Sequence, residues 1–412
     1  MNVLYLHQYF TTPEISGGTR SYTFAKKLIE KGHKVTMVTS SRRIGKKYSL
    51  GDKKINFINI DGIDVVSINV SYSQNMSYIK RIISFILFMV YSSLYLMKKR
   101  DYDIVFATST PLSIAIPALV AKFRNKIPFV FEVRDLWPEY IEDFGIVKNR
   151  VIIKILEKFC SFVYKKADHI VAISNSMANR VKIKYNINSN KLSVLPIGSW
   201  KYLKNGLDED KINIYIEKFD LKDKFVIGYA GTLGFTNNID SIIKMAKVLN
   251  NYVDIVILIA GDGKERNRME KEIKDKQLTN IKLVGKYSQF EVVNIIELFD
   301  IAYQSELEFN KEGKKLMNGE DALPNKFFDY ILMGKPMLIN TTGEITSLME
   351  EYKFGFYIND KDEEKIKETI LKLKNNKELR KTMSENSLKL SEKFDRDQIA
   401  KKLIYILEGE MK

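Results

Sequence analysis

Short apolar runs alternate with segments of helical periodicity along most of the chain. The first predicted strand, Val3–Leu6, is followed by a glycine turn and by a helix whose apolar residues lie between Phe24 and Ile29. Gly32 ends this helix and Val35–Val38 is the next buried strand. Further strands are predicted at Ile104–Ala107, Phe129–Val133, Ile170–Ile173 and Leu192–Leu195. Strands that alternate with helices predict a parallel, doubly wound sheet.

The pattern loosens after Pro196 and restarts with a second first strand at Phe225–Ala230. The strands predicted after it are Ile255–Ala260, Ile281–Val284, Ile301–Gln304 and Pro336–Ile339. We therefore predict an α/β fold with two Rossmann-like, doubly wound parallel-sheet domains facing a cleft. The expected boundaries are an N-terminal domain at 1–198, a linker at 199–222, a C-terminal domain at 223–390, and a helix within 391–412 that packs back across the domains. Ligands of such sheets bind at the carboxyl ends of the strands.

Composition places the chain among globular proteins of two or three domains. It has 412 residues, of which 45% are hydrophobic and 28% charged. Its one cysteine, Cys160, cannot form an internal disulfide, and the first ten residues lack the features of a secretory signal. We therefore expect a cytoplasmic location.

Positive charge is concentrated in the first half of the chain. Residues 1–200 contain 30 basic and 14 acidic side chains, a net charge of +16, whereas residues 201–412 have a net charge of −1. The asymmetry favours a polyanionic partner for the first half, which could be an anionic membrane, a phosphate-bearing substrate or nucleic acid. A lysine-rich composition that serves solubility is the alternative.

Two segments have the pattern of an anion site. Ser16-Gly17-Gly18-Thr19 lies between the first strand and the first helix, where backbone N–H groups can hold a phosphate. The alternative is a plain strand-to-helix turn, and the segment is neither GxGxxG nor a Walker A loop. The second segment, 321–329, carries Asp321 and Asp329 eight residues apart. If Pro324-Asn325 opens a helix, its first N–H groups and the Lys326 ammonium form an anion site, and Asp329 can accept both hydroxyls of a ribose. A capped helix with surface acids would have the same pattern.

The acid-x7-acid spacing resembles the motif of retaining GT-B glycosyltransferases of family 4, and the whole chain is similar to their bacterial O-antigen and capsule branch, including N-acetyl-fucosamine transferases. The segments that carry the resemblance are HQYF with EISGGTRSYTFAKKLIEKGHKVTMVTS at 7–40, FEVRDLWPEY at 131–140, ADHIVAIS at 167–174, GYAGTLG at 228–234, AGDG at 260–263 and LPNKFFDYILMGKP at 323–336.

This resemblance implies a set of site residues. It assigns contacts with a nucleotide-sugar to Gly17, Gly18, Gly231, Thr232, Lys286, Tyr287, Asn325, Lys326 and Asp329, and catalytic positions to Asp321, Arg134 and Asp135.

Within this set, the glycine turn is expected to approach the donor diphosphate, and Asp329 to bind the ribose. Asn325 and Lys326 are expected at the phosphates, and residues 285–287 at the base. Asp321 is expected at the hydroxyls of the transferred sugar. Arg134 and Asp135 are expected to face the donor sugar and the acceptor.

The chain departs from the family pattern at two places. Both acids are Asp where the family commonly has Glu, and residues 231–240, GTLGFTNNID, lack the usual Arg and Lys. The charge on the leaving group must then be stabilised by Lys326, Arg134 or backbone amides. Neither a metal nor another cofactor is expected, and we interpret Asp101-Tyr102-Asp103 as a solvated turn. Among the three histidines, only His7, at the end of the first strand, is a candidate for substrate contact.

A sixteen-residue segment, Ile82–Met97, is apolar nearly all round and has basic residues at both ends. It is short for a membrane span, which needs about 20 residues. Two interpretations remain, a buried helix of the domain or a helix at the surface of an anionic membrane.

The sequence thus predicts a hexosyl- or N-acetylhexosaminyltransferase that is peripheral at the inner face of the cell membrane. Its donor is expected to be a nucleotide-sugar, UDP-linked, and its acceptor a polyprenyl-diphosphate-linked saccharide of surface polysaccharide assembly. A nucleotide-sugar epimerase or hydrolase of the same fold is an alternative. A non-catalytic basic protein that binds membrane or nucleic acid is another, but no nucleic-acid-binding motif supports it and we expect no nucleic acid partner.

Overall fold

The structure, a computed structural model, describes residues 1–45, 47–70, 76–99, 101–109, 111–310, 313–316 and 323–411. It contains two compact units, residues 1–196 with 396–412 (unit 1) and residues 197–395 (unit 2). Each unit is built on a parallel sheet connected by helices, so the predicted α/β fold class is confirmed.

Unit 1 contains an eight-stranded sheet in the order β3-β4-β2-β1-β5-β6-β7-β8. Its strands are β1 Asn2–Leu6, β2 Lys34–Ser40, β3 Ile55–Ile60, β4 Ile63–Ile68, β5 Ile104–Thr108, β6 Phe129–Val133, β7 His169–Ala172 and β8 Leu192–Val194. Only the edge strand β3 runs antiparallel to its neighbour, with Ile60 opposite Ile63. The central strands β5 and β6 are buried at every residue because both faces of the sheet are covered.

In the described residues of unit 1, eight helices follow or connect these strands. They are α1 Arg20–Glu30, α2 Ser41–Ile44, α3 Tyr78–Lys98, α4 Ala115–Asn125, α5 Glu139–Asp143, α6 Arg150–Lys166, α7 Asn175–Tyr185 and, from the end of the chain, α16 Arg396–Gly409. Three short 3₁₀ turns accompany them: Leu112–Ile114, Ser189–Lys191 and, in unit 2, Lys201–Gly206.

Unit 2 contains a six-stranded, all-parallel sheet in the order β11-β10-β9-β12-β13-β14. Its strands are β9 Phe225–Ala230, β10 Ile255–Ala260, β11 Ile281–Gly285, β12 Ile301–Gln304, β13 Met337–Ile339 and β14 Gly355–Tyr357. The central strand β9 is buried throughout, and a Cβ at Gly228 would lie 1.9 Å from the Phe299 ring. Glycine at this position therefore lets the ring pack directly on the strand.

The helices of unit 2 are α8 Glu209–Lys218, α9 Ile239–Leu249, α10 Arg266–Asp275, α11 Val292–Glu297, α12 Asn325–Leu332, α13 Glu344–Tyr352, α14 Glu363–Asn375 and α15 Lys377–Lys393, with a 3₁₀ turn at Phe235–Asn237. The segment predicted as a linker, 199–222, is part of this unit. Trp200 and Leu203 are buried in it, and the Asp208 N–H donates to Asn294 Oδ1 at 2.8 Å. The linker prediction was therefore wrong, because the stretch forms a 3₁₀ turn and helix α8 and is anchored on unit 2 through Trp200 and Leu203.

The helix predicted within 391–412 is α16, and it belongs to unit 1. Its apolar face, including Leu403 and Leu407, is buried. Polar contacts fix it at both ends. They join Arg396 Nη1 to Thr19 Oγ1 (2.9 Å), Asp397 to Lys27 (3.2 Å), Glu408 to His33 (3.1 Å) and Glu410 to His169 (3.2 Å). Both of these histidines thus have structural partners.

Candidate functional site

Helix α12 of unit 2 begins where the sequence predicted it. Pro324 is its N-cap and Asn325 its first residue, which places the first turn of the helix at the carboxyl edge of the sheet. Proline suits this position because the first turn needs no intrahelical N–H donors. The Asn325 side chain is half-buried, and its Oδ1 accepts no hydrogen bond from the residues that the structure describes. Asp321, expected at the transferred sugar, lies outside the described residues.

The Lys326 side chain is the most enclosed charge at this edge, with 7% of the residue exposed. Its Nζ lies 2.8 Å from Glu306 Oε1 and 2.8 Å from Asn237 Oδ1, and it donates to the Ser305 carbonyl at 2.9 Å. It also lies 4.8 Å from the centroid of the Tyr229 ring. The loops after β9 and β12 and the ring of a β9 residue therefore converge on one ammonium group, which is fixed in place before any ligand binds.

Glu306 is a candidate site residue that the sequence interpretation missed, since it pairs with Lys326. It follows β12 directly, and both of its backbone groups bond to Asn340: its N–H donates to Oδ1 at 2.9 Å, and its carbonyl accepts from Nδ2 at 3.1 Å. Gln304 Nε2 donates to its carboxylate at 3.1 Å. An acid placed directly after a buried strand was the available signal, because the carboxyl ends of parallel strands meet at the ligand-binding edge.

Asp329 lies one turn after Lys326 and is half-buried. Gln289 Nε2 donates to both of its carboxylate oxygens, at 3.2 and 3.3 Å. Gln289 belongs to the loop after β11, the same loop that carries Lys286 and Tyr287. The structure thus brings this loop and Asp329 together.

Within that loop, the Tyr287 hydroxyl donates to the Val284 carbonyl at 3.0 Å, and burial raises the pKa of Tyr287 to about 12. The phenol is therefore neutral at physiological pH. Lys286 is exposed. Tyr287 packs edge-on against Tyr215 of α8 at 5.8 Å, so its ring position is fixed by the segment that was predicted as a linker.

The glycines of the AGDG segment are required by loop packing. A Cβ at Gly261 would lie 1.9 Å from the Gly231 carbonyl oxygen, and one at Gly263 would lie 2.1 Å from that of Leu233. A Cβ at Gly231 itself would lie 3.4 Å from Lys326 Cδ. Gly231 therefore borders the lysine, whereas Thr232 is exposed and its carbonyl accepts a hydrogen bond from the Tyr229 hydroxyl at 2.9 Å.

In unit 1 the glycine turn packs against an arginine that the sequence interpretation did not include. Gly17 has φ +135°, and a Cβ there would lie 2.0 Å from Arg43 Nη1, which donates to the Ser16 carbonyl at 2.9 Å. The Gly18 carbonyl accepts from Thr11 Oγ1 at 3.1 Å. A side chain at residue 17 would therefore displace the flexible end of Arg43 and strain the backbone, in addition to blocking any approach by a phosphate.

His7 lies beside the same arginine. Its Nδ1 is 2.8 Å from Ser21 Oγ, and burial, followed by the positive charges of Arg134 and Arg43, lowers the pKa of His7 well below its ordinary value. The imidazole is therefore neutral. In the described part of the chain the Arg134 guanidinium forms no ion pair, and its backbone N–H donates to Ser109 Oγ at 2.9 Å. His7, Arg43 and Arg134 form a basic cluster at the carboxyl edge of the sheet of unit 1.

A buried ion pair supports this cluster. Arg20, the first residue of α1, donates through Nε to Glu132 Oε1 at 2.8 Å, and its Nη2 donates to the Leu195 carbonyl at 2.7 Å. Neither member of the pair is exposed. The pair ties the start of α1 to β6 and thereby fixes the glycine turn relative to Arg134. Asp135, the other predicted catalytic residue of this unit, is half-buried.

Comparisons with known proteins identify the families of the two units. Residues 17–198 match Glycosyltransferase Family 4, and residues 211–390 match Glycosyl transferases group 1. The two units of this chain belong to these two glycosyltransferase families. The predicted membership of glycosyltransferase family 4 and group 1 is thus confirmed, whereas the retaining mechanism and the N-acetyl-fucosamine transferase branch stay predictions.

The curated relatives are distant. An uncharacterized glycosyltransferase of Methanocaldococcus jannaschii (MJ1178) is 26% identical over 54% of the chain and 60% of its own length. The probable glycosyltransferase WbjE of Pseudomonas aeruginosa is 23% identical over 63% of both chains, and the capsular polysaccharide biosynthesis glycosyltransferase CapM of Staphylococcus aureus is 24% identical over 74% of the chain and 76% of its own. The chain thus spans less than two thirds of the length of the first two.

Solved structures resemble the chain over its whole length. A glycosyltransferase from Rickettsia africae has a TM-score of 0.72 at 17% identity, covering 100% of this chain and 98% of its own. Anabaena HepE in complex with UDP has a TM-score of 0.67 at 15% identity, covering 99% and 100%. The predicted GT-B fold is therefore confirmed.

Proposed function

We propose that the chain transfers a sugar, with retention of anomeric configuration, from UDP-sugar to a lipid-linked saccharide during assembly of a bacterial surface polysaccharide. The observation that carries the proposal is the arrangement of Lys326 and Asp329 one turn apart at the start of α12, each held by a loop that follows a different strand. The UDP complex of HepE supports a uridine nucleotide, and CapM and WbjE support the polysaccharide context.

In this proposal, Asp329 accepts the two ribose hydroxyls, and Gln289 keeps its carboxylate oriented. The phosphates are bound by the Lys326 ammonium together with the N–H groups of the first turn of α12, where the helix dipole favours an anion. The anomeric carbon–oxygen bond breaks and its electron pair moves to the phosphate oxygen of UDP. The acceptor hydroxyl oxygen forms the new bond at the anomeric carbon, and its proton passes to the phosphate oxygen of the departing UDP. Lys326 stabilises the charge that develops on the phosphate.

The basic cluster of unit 1 supports an acceptor that carries a diphosphate. Arg43 and Arg134 both lie close enough to His7 to lower its pKa, and burial keeps that imidazole neutral, so the net charge of the cluster comes from the two guanidinium groups. Guanidinium groups bind phosphate oxygens through paired N–H donors. The net charge of +16 on residues 1–200 would attract such an acceptor over a longer range.

Titration calorimetry with UDP tests the donor site. Asp329→Ala is expected to weaken UDP binding about 10- to 100-fold, because hydrogen bonds to a charged group contribute about 1.5 to 3 kcal/mol. The matched control is Asp275→Ala, which removes an exposed carboxylate from α10 of the same unit. Equal affinity of the wild type and Asp329→Ala would contradict the assignment.

Product analysis tests the reaction. UDP-sugar is incubated with and without polyprenyl-diphosphate-linked saccharide, and both free UDP and extended lipid are measured. The proposal expects UDP release that depends on the acceptor and equals the extended lipid formed. Release without acceptor would instead indicate a hydrolase or an epimerase.

A further inference from the structure

Helix α3 of unit 1 has an unusual distribution of apolar residues. Among the described helices, residues Ile79–Lys98 alone form a stretch long and apolar enough to cross a membrane, and only 28% of its most apolar window is buried. Eight of its large apolar side chains are between 39 and 70% exposed. They are Ile79, Ile82, Ile83, Ile86, Leu87, Val90, Leu94 and Met97, which we call the α3 apolar face.

The buried side of the same helix is partly polar. Residues at four-residue spacing face the protein, and two of them are serines, Ser84 and Ser92, beside Phe88 and Leu96. Ser92 Oγ bonds back to the Phe88 carbonyl at 2.6 Å. A surface helix of a soluble protein normally buries its apolar stripe and exposes its polar one. Helix α3 instead buries two serines among its inward-facing residues and exposes a continuous apolar face, so its sequence suits an apolar environment outside the unit.

The fold argues against a span. The helix connects β4 and β5, which are strands of one sheet separated by β2 and β1, and it packs on α4. Near its C-terminal end, the Tyr95 hydroxyl lies 3.3 Å from that of Tyr102, and the Tyr95 ring lies 6.1 Å from the Phe57 ring. Because the helix packs along α4 and its C-terminal end is fixed to the unit, its apolar face is available only from the side.

Charges at the ends of the helix indicate what covers this face. Lys80 and Arg81 lie in the first turn, and Lys98 and Lys99 at the end, whereas no acidic residue lies in the helix. An apolar surface between basic groups complements the acyl and headgroup layers of an anionic bilayer. A second copy of the chain would bring like charges together.

We propose that the α3 apolar face docks unit 1 on an anionic lipid bilayer, with the helix lying in the interface plane and its basic ends on the headgroups. This inference goes beyond the proposed sugar transfer and does not depend on it. It selects the second of the two interpretations of Ile82–Met97. If the proposed acceptor is correct, the same face would also bring the enzyme to the surface that contains its lipid.

Vesicle flotation tests the proposal with the full chain. Vesicles of phosphatidylcholine alone are compared with anionic vesicles that also contain about 30% phosphatidylglycerol. We expect wild-type binding to the anionic vesicles to be at least about tenfold stronger, and to fall as salt is raised. Equal binding to both vesicle types, or none to either, would overturn the proposal.

Variants locate the surface. Ile83→Asp with Ile86→Asp is expected to reduce binding at least about tenfold, because two carboxylates must then enter the interface. The matched control is Val253→Asp with Ile183→Asp, which changes two apolar residues that are 83% and 81% exposed elsewhere. Lys98→Gln with Lys99→Gln is expected to reduce anionic binding by about fivefold per charge removed.

Measurements of Tm, UDP affinity, oligomeric state and carbonate extraction complete the test. All variants should retain the wild-type Tm and UDP affinity, since the changed side chains are exposed, so loss of membrane binding is separated from misfolding and from failure of the donor site. Equal loss in the control pair would refute the assignment to α3. A dimer in light scattering that Ile83→Asp with Ile86→Asp dissociates would assign the face to a second copy, and resistance of the membrane-bound chain to carbonate extraction would indicate a span.

Discussion

Replacing Lys326 with methionine is expected to reduce stability and donor binding together. Methionine retains much of the side-chain length but removes the ammonium, and so it leaves the Glu306 carboxylate without its 2.8 Å partner. Asn237 Oδ1 and the Ser305 carbonyl lose a donor at 2.8 and 2.9 Å in the same change. The substitution therefore removes one cation and leaves three hydrogen-bond acceptors without their donor in a largely buried site.

The expected magnitude follows from the burial of the pair. Breaking a fully buried ion pair from one side costs about 3 to 5 kcal/mol. The Glu306 side chain keeps 15% exposure and its hydrogen bond from Gln304, so about 2 to 3 kcal/mol is the better value here. For a unit of this size the loss corresponds to about 5 to 10 °C in Tm. Loss of the charge-assisted phosphate contact should weaken UDP binding by about 10- to 100-fold.

Lys335→Met is the matched control. Lys335 is also buried, and it also bonds to a glutamate, with Nζ 3.3 Å from Glu297 Oε2 and 2.9 Å from the Glu297 carbonyl. It directly precedes β13, however, and so lies at the amino edge of the sheet. We expect this variant to lose about 1 to 2 kcal/mol of stability, since Glu297 is the more exposed partner, and to keep wild-type UDP affinity.

Glu306→Gln tests whether the carboxylate serves only as the counter-ion of Lys326. If Glu306 is only the counter-ion of Lys326 in the unliganded protein, removing its charge leaves the ammonium free to attract phosphate, and UDP binding becomes several-fold tighter. Thermal unfolding and titration calorimetry on the single and double variants measure both effects. The reasoning is refuted if Lys326→Met binds UDP as tightly as the wild type, or if Lys335→Met weakens binding equally.

Two further predictions concern unit 1. Because the unfolded chain protonates His7 near pH 6.5 and the folded chain does so only well below that value, the unfolded state binds more protons as pH falls. The free energy of unfolding should therefore decline below about pH 6.5, with His7 contributing up to about 1.4 kcal/mol per pH unit. Urea titrations at pH 7.5, 6.5 and 5.5 measure this dependence, and His7→Asn should make it less steep. An unchanged pH dependence in His7→Asn would contradict the assignment. Gly17→Ala should cost about 2 to 3 kcal/mol in the same assay, since it combines a positive φ with a clash against Arg43, whereas Gly32→Ala, at φ +88° with open space, should cost about 1 kcal/mol. Adding Arg43→Ala should recover part of the Gly17→Ala loss, and simple additivity would show that the clash is unimportant.

Much of the fold could be predicted because its strands are buried on both faces and therefore form continuous apolar runs, such as Phe225–Ala230. The hairpin of β3 and β4 was missed because β3 lies at an edge and only Ile60 of its six residues is buried, so it lacks the continuous apolar run of the central strands. Its turn, Asp61-Gly62, has positive φ at both residues, which is typical of a two-residue hairpin, and this dipeptide was a usable signal.

The site divides in the same way. Lys326 and Asp329 could be predicted because one helix start sets both positions, and the helical rise places them one turn apart. Glu306 and Arg43 could not be placed from the sequence, since Glu306 lies 20 residues before its partner Lys326 and Arg43 lies 26 residues after Gly17. In each unit, the folding of separate loops onto the same sheet edge brings such residues together, and the local periodicity of the sequence does not predict which loops meet.

The return of α16 to unit 1 affects how this protein can be made. Residues 1–196 leave the ribosome long before Arg396 and Glu410 do. The last helix of unit 1 can therefore dock only after about two hundred residues of unit 2 have been synthesised. Until then, the surface of α1 that α16 covers is open to water and to chaperones. A gene fragment that stops at residue 196 would therefore yield an incomplete unit, and expressing the first unit alone calls for a short linker that joins residue 196 directly to residue 396.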